Sequence, residues 1–267
     1  MQAIRNKLDP NNKLVKNSLG FDSDLYIYQD KTMFNYSVDT ILLGNFIYLN
    51  HKIHHALEVG ANNGALSIFV ASRNKQLKID AVEIQTQAYE LGLKNVELNN
   101  MENQINFINQ DFKLFWKQHT KQGLKKYQTI FCNPPFYPYD KTKISNKVST
   151  SKLIATHEVE LNLDQLIEGC SKIIEQKGFL NLVLPIERLV DTFEILRKYK
   201  FEPKRVKFVF PRIDDKPKFF LVEARYQTGW GTHFLPNLYL HDSTNKTDSS
   251  YLPEVKELYK PIKVLKD

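Results

Sequence analysis

The stretch Glu58-Val59-Gly60-Ala61-Asn62-Asn63-Gly64 constrains this chain more than any other part of it. It ends a short apolar run that includes Ala56 and Val59. It opens onto GALSIFVASR (64–73), where Leu66, Phe69 and Val70 fall at helical spacing. A buried strand that turns tightly through glycines into a helix is the first unit of an α/β sheet. The alternation then continues. Residues 77–83, 105–110 and 127–132 read as strands, and 85–99 and 112–122 as the helices between them. A helix near 162–176, a strand at 179–184 and a helix at 187–199 follow, and two strands near 204–210 and 218–226 complete the pattern. Seven strands alternating with helices predict an α/β, doubly wound, Rossmann-like sheet. The link from Pro211 to Pro217 is too short for a crossover, so the last two strands are expected to pair as an antiparallel hairpin.

Residues 1–50 predict a cover on this sheet: a hairpin of Leu25–Tyr28 with Met33–Tyr36, then a helix N-capped by Asp39. Residues 51–240 carry the core. Residues 241–267 are expected to add a loop and a helix to the same domain. The chain has 267 residues, 42% of them hydrophobic and 25% charged, which suits a globular protein and not a disordered one. No apolar run approaches the ~18 residues of a membrane span. The opening MQAIRNKLDPNNK lacks the apolar segment of a signal peptide. Two cysteines cannot build a disulfide scaffold, and the seven histidines show no ligand spacing, so no metal is expected. The expectation is a soluble, cytoplasmic protein.

In an open α/β sheet, ligands bind beyond the carboxyl ends of the strands. Gly60 and Gly64 allow a tight turn there, and Asn62 stands where a dinucleotide-binding loop would usually carry glycine. Asn tolerates positive φ, so the turn survives, but its side chain narrows the room for a pyrophosphate. Glu83, ending the second strand, is placed to accept from both hydroxyls of a ribose. Asp111, closing the third, could accept from an adenine amino group. With Glu58, this acidic set without a phosphate cradle favours S-adenosyl-L-methionine over NAD.

Asn133-Pro134-Pro135-Phe136 follows the fourth strand at the same end of the sheet. A nucleobase amino group is a poor nucleophile because its lone pair is delocalised into the ring. Two acceptors on its two hydrogens hold the nitrogen pyramidal, and the Asn133 side-chain oxygen and the Pro134 carbonyl suit that task. Pro134 and Pro135 stiffen the backbone, and Phe136 offers a ring on which a base can stack. Fixed geometry of this kind is how positioning becomes catalysis.

Charge is distributed unevenly. The formal net charge is +7, from 37 Lys and Arg against 30 Asp and Glu. Residues 113–126 hold five Lys and no acid, 141–152 hold four Lys and no acid, and 197–218 hold nine bases and three acids. Residues 80–111 hold six acids and one Lys. Basic runs flanking the Asn-Pro-Pro-Phe motif point to a polyanion, with Lys141, Lys143, Lys147, Lys204, Arg205 and Arg212 as candidates for contacting it.

These motifs resemble those of class I S-adenosylmethionine-dependent methyltransferases that methylate amino groups. Asn35-Tyr36-Ser37-Val38-Asp39-Thr40-Ile41-Leu42-Leu43, Ala155-Thr156-His157-Glu158, Leu184-Pro185-Ile186-Glu187-Arg188-Leu189, Glu202-Pro203-Lys204-Arg205-Val206 and Leu221-Val222-Glu223-Ala224 extend the likeness. Together they resemble the bacterial valine tRNA (adenine-N6)-methyltransferases over about residues 17–240. The resemblance implies methylation of adenine 37 in the tRNA anticodon stem-loop, with no obligate protein partner. It adds Asp39 and Asn133 to the cofactor-binding set. Asn62 and Thr156 depart from the family's usual glycine and arginine. The Asn-Pro-Pro-Phe tetrapeptide also serves other methyltransferases. The alternatives are therefore an rRNA guanine-N2 or adenine-N6 methyltransferase, or a non-catalytic RNA-binding protein on the same fold.

Overall fold

The computed structural model describes residues 14–21, 23–33, 35–134, 161–244 and 247–264. Two strands, β1 (Leu14–Ser18) and β2 (Tyr26–Asp30), form an antiparallel ribbon ahead of helix α1 (Val38–Phe46). The core then alternates as the sequence predicts: β3 (His55–Val59), α2 (Ala65–Arg73), β4 (Lys78–Glu83), α3 (Thr86–Leu98), β5 (Ile105–Asn109), α4 (Phe112–Lys121) and β6 (Tyr127–Cys132). After the motif come α5 (Leu163–Ile173), β7 (Ile174–Pro185), a 3-10 turn at Ile186–Arg188, α6 (Leu189–Lys198), β8 (Phe201–Phe210) and β9 (Phe219–Tyr226). Two short strands, β10 (His233–Phe234) and β11 (Leu238–Tyr239), and helix α7 (Pro253–Glu257) finish the described chain.

The main sheet runs β8-β9-β7-β6-β3-β4-β5, with β10 and β11 both paired to the outer edge of β8. Strands β3 to β7 are mutually parallel, and β9 is antiparallel to both β7 and β8. This is the doubly wound sheet with a terminal hairpin. The order reverses between β3 and β6, where β3 pairs β4 on one side and β6 on the other. That switch point is where such sheets open a binding crevice.

Each strand feeds two separate apolar layers, because successive side chains point to opposite faces. Ala56, Phe131 and Leu221 join the layer under α1 and α2, while Leu57, Cys132 and Val222 join the layer under α4, α5 and α6. Helix α1 is seated by Ile41 and Leu43, both fully buried, each contributing ~1.5–3 kcal/mol. The same layer takes in Leu19 and Ile27 from the ribbon, and Leu240, Val255 and Tyr259 from the C-terminal stretch. Arg73 binds that stretch to the core: its guanidinium donates to the carbonyls of Gly44, Ile47 and Ile262, and its own carbonyl accepts from Val264 N.

Two expectations for the N-terminal region need correction. The strand at 26–30 pairs with residues 14–18, not with 33–36. Ile27 faces the core, while Tyr26 N and Tyr28 N donate to the side chains of Asn99, just past α3, and Asn95, on α3. Asp39 is not the N-cap of α1. Ser37 holds that position, and Asp39 lies in the first turn, where Oδ1 accepts from Thr40 N at 2.8 Å and from the Ser37 hydroxyl.

Candidate active site

The turn after β3 is built by backbone hydrogen bonds. Gly60 N and Ala61 N both donate to the carbonyl of Val82, at 2.9 and 3.0 Å, and Gly64 N closes back onto Ala61 O at 2.8 Å. Three residues of the turn are left-handed: Gly60 (φ 71°), Asn62 (φ 48°) and Gly64 (φ 82°). The middle position therefore demands positive φ, and Asn62 meets the demand as a residue type that tolerates it. Gly64 is doubly fixed, since a Cβ there would stand 3.0 Å from the Phe107 ring. At Gly60 a Cβ would meet nothing within 4 Å, so its side faces the open crevice.

That crevice is walled by the turn, by the ends of β4, β5 and β6, and by Tyr36 and Thr40 from the N-terminal region. Glu58, Gly60, Asn62, Glu83, Asp111 and Asn133 all border it. Glu58 is 3% exposed and accepts from the hydroxyl of Ser67, in the first turn of α2. Burial pushes its carboxyl up to about 8, partly opposed by the hydrogen bonds from Ser67. Glu83, 5% exposed, is also raised by burial, while backbone N–H groups oppose the shift: Oε1 accepts from Gln85 N at 2.7 Å and Oε2 from Asn62 N at 2.8 Å. Ile84 N–H is a third backbone donor to this carboxylate, so of its about four acceptor positions about one is left for a ligand. Asp111 caps α4: Oδ1 accepts from Lys113 N at 2.7 Å, and Oδ2 lies 3.5 Å from Lys113 Nζ. Cys132 borders the crevice too, but burial raises its thiol well above the ordinary value and keeps it protonated.

Asn133 stands at the mouth of β6. Its Nδ2 donates to Thr40 Oγ1 at 3.2 Å, and its Oδ1 is buried without a partner among the described residues. A buried acceptor left open costs ~1–3 kcal/mol unless a ligand fills it. Pro134 is buried beside it. The carboxyl-lined wall and the open side at Gly60 fit a cationic nucleoside cofactor. The unfilled Oδ1 fits an incoming amino group.

The remaining candidates separate by position. Gly64 sits behind the turn rather than among the residues bordering the crevice, and Asp39 does not border it either. Arg205 lies in one register row with Glu223, Asn181, Phe131 and Glu58, four strands from Glu58, or about 19 Å. Its guanidinium is turned inward: Nη1 binds Glu223 Oε2 at 2.8 Å, Nη2 binds Phe46 O at 3.0 Å, and the group lies over the Phe46 ring. Lys204 donates to Gly229 O. Arg212 clasps the 242–248 loop through the carbonyls of Asp242 and Asp248. Pro135, Phe136, Lys141, Lys143 and Lys147 lie outside the described residues. Sequence reasoning assigned no role to Thr40 or Ser67. Ser67 carried a usable signal, three positions past Gly64 on a helix entering the site, whereas the Thr40 contact spans 93 positions.

Among the described residues, no group of three or more His, Cys, Asp or Glu could hold a metal ion, and no helix is long and apolar enough to cross a membrane. A doubly wound sheet with an acidic, glycine-turned crevice at its switch point defines a nucleoside-binding α/β protein. The family model described as "Methyltransferase small domain" matches residues 37–198, more than half of the chain, and the chain belongs to that family. It is 27% identical over 201 residues to the tRNA1(Val) (adenine(37)-N6)-methyltransferase of Christiangramia forsetii, covering 75% of this chain and 81% of that one. It is 26% identical over 237 residues to the enzyme of the same name from Dyadobacter fermentans, covering 88% and 92%. Its fold is similar to the crystal structure of a predicted O-methyltransferase from Agrobacterium tumefaciens, with a TM-score of 0.65, 18% identity and coverage of 85% and 98%.

Proposed function

We propose that this protein transfers a methyl group from S-adenosyl-L-methionine to the N6 amino group of adenine 37 in the anticodon loop of a valine tRNA, in the cytoplasm. The observation that carries the reading is Asn133 Oδ1, a buried acceptor with no partner among the described residues, at the edge of an acidic crevice. The relatives named for this reaction, matched over most of their length, support it.

S-adenosylmethionine supplies an electrophilic methyl on a sulfonium. The chain's residues supply position and charge. Glu83 is assigned to the ribose hydroxyls, using the acceptor capacity left beside the N–H groups of Asn62 and Gln85. Asp111 is assigned to the adenine amino group of the cofactor and Glu58 to its cationic portion. Asn133 Oδ1 and the Pro134 carbonyl accept from the two hydrogens of the target amino group, which frees its lone pair toward the methyl. Phe136 stacks on the target base. A loop base suits this design, since it is extruded at lower cost than a paired one.

The test incubates the protein with labelled S-adenosylmethionine and unmodified total tRNA, then identifies the labelled nucleoside and its carrier. N6-methyladenosine at position 37 of valine tRNA is expected. Label confined to ribosomal RNA would overturn the substrate assignment.

A further inference from the structure

A second cleft opens at the amino ends of the parallel strands, on the α1 side of the sheet, and no step of the proposed reaction uses it. Its level is fixed by the register row Ala56–Thr129–Phe179–Arg225, whereas Asn133 stands four residues further along β6, about 13 Å toward the other end. Helix α1 connects the two places. Thr40 in its first turn borders the cofactor crevice, and Tyr48, just past its end, borders the second cleft.

The cleft combines flat rings with cations. Tyr48 and Phe179 pack with centroids 5.2 Å apart, and Tyr48 is 42% exposed. The guanidinium of Arg225 lies 4.6 Å over the Phe179 ring, held there because Nε and Nη2 both donate to Lys177 O. Lys52, Lys177 and Lys204 surround these groups. Two acids also line the cleft, Glu175 and Glu223, and Arg205 neutralises Glu223 within an ion pair. The chain as a whole holds 37 bases to 30 acids, so five Lys and Arg against two acids in one cleft is a concentrated excess. An exposed aromatic ring beside a stacked guanidinium, ringed by lysines, is the chemistry that holds an unstacked base and its flanking phosphates.

We propose that this cleft is a second RNA-contact site, which grips one unstacked base and the neighbouring phosphates of the tRNA while the target adenine occupies the crevice at the other end of α1. The inference rests on the tRNA reading above.

The experiment uses full-length valine tRNA transcript with S-adenosylhomocysteine, comparing wild type with Tyr48→Ala and with the double variant Lys52→Glu/Lys177→Glu. Both variants change side chains at the cleft's exposed margin. The double variant is expected to weaken tRNA binding about tenfold at moderate salt and to flatten the salt slope by about one to two. Tyr48→Ala is expected to weaken binding about tenfold with the slope unchanged. Affinity for S-adenosylhomocysteine and the single-turnover rate at saturating tRNA should not change in either. A 4-thiouridine-substituted transcript should crosslink to the Tyr48 peptide. Unchanged tRNA affinity in both variants would overturn the proposal. So would polyglutamate that competes with tRNA equally well for wild type and Tyr48→Ala, the mark of a surface for acidic protein. A wild type that binds tRNA through this cleft yet methylates none of it would fail the functional reading alone.

Discussion

Thr40 Oγ1 accepts a hydrogen bond from Asn133 Nδ2 at 3.2 Å, joining helix α1 to the mouth of β6 across 93 positions of sequence. The contact ties the Asn133 amide to the first turn of α1. The nitrogen is engaged, and Oδ1 is buried with no partner among the described residues. The N-terminal region therefore does more than cover the sheet, since it touches the residue that the proposed chemistry needs.

Replacing Thr40 with Val removes that anchor at nearly constant volume. Single-turnover methylation should fall about tenfold, as expected for loss of orientation rather than of a reacting group. Cofactor affinity should be retained, and Thr40→Ser should restore most of the rate. A Val variant as fast as wild type would remove Thr40 from this role.

Asn133→Ala deletes the acceptor itself. Methyl transfer should fall by about 100-fold or more, the scale seen when a directed hydrogen-bond partner of the transition state is lost. Binding of S-adenosylmethionine, followed by calorimetry, should remain measurable. Loss of both together would reassign Asn133 to holding the crevice open.

Glu58 gives a pH signature with a definite sign. Its carboxyl ionises near 8 in the folded chain, against an ordinary value of 4.5. The native state thus holds one proton more than the unfolded state between those values, and this group's contribution to stability declines as pH rises from about 5 to about 8. Glu58→Gln should flatten that part of the profile in denaturant titrations. A cationic cofactor favours the ionised form, so affinity for S-adenosylmethionine should rise through the same window in wild type and stay level in the Gln variant.

Gly64→Ala tests the turn. The left-handed φ costs an L-residue about 1–2 kcal/mol, and the new methyl would stand against the Phe107 ring. Thermal melts should show a lower Tm by several degrees, together with weaker cofactor binding. An unchanged Tm would mean that the turn relaxes into another conformation.

Arg205 and Glu223 form a pair in which the acid is almost wholly buried, at 4% exposure, and the base is 28% exposed. Arg205→Ala leaves Glu223 without its counter-charge and should destabilise the fold by about 2 kcal/mol. Adding Glu223→Gln should recover part of that loss, giving a non-zero coupling in the double-mutant cycle. Strict additivity would show that the pair contributes nothing. Charge reversal at Arg205 is for the same reason a poor probe of RNA binding.

Much of this was legible in the sequence because the signals are local. Apolar runs closed by Gly60, Glu83 and Asn133 place the strand ends, and a parallel sheet brings all such ends to one edge, so Glu58, Glu83, Asp111 and Asn133 meet without further information. The terminal hairpin followed from a link too short to cross over. The failures came where the answer depends on distant partners. β2, which pairs with β1, is also held by Asn95 of α3 and by Asn99 just past it, far along the chain. The run of charge at 197–218 gave no hint that Arg205 points inward to Glu223, because a charge count along the chain carries no direction. Thr40 was visible as a residue but not as a partner of Asn133.

The binding of residues 258–264 against α1 and Arg73 has a consequence for biosynthesis. Asn45 on α1 donates to Leu258 O and accepts from Ile262 N, so the helix that carries Thr40 is fastened by the last part of the described chain. A nascent chain extends from its N-terminus at about 5–20 residues per second. The Rossmann-like core, with α1 seated on it by Ile41 and Leu43, can assemble once β9 has emerged, but the Asn45 contacts wait until the tail is made. A ribosome stalled short of residue 258 would therefore carry a folded core whose α1 still lacks both of those hydrogen bonds.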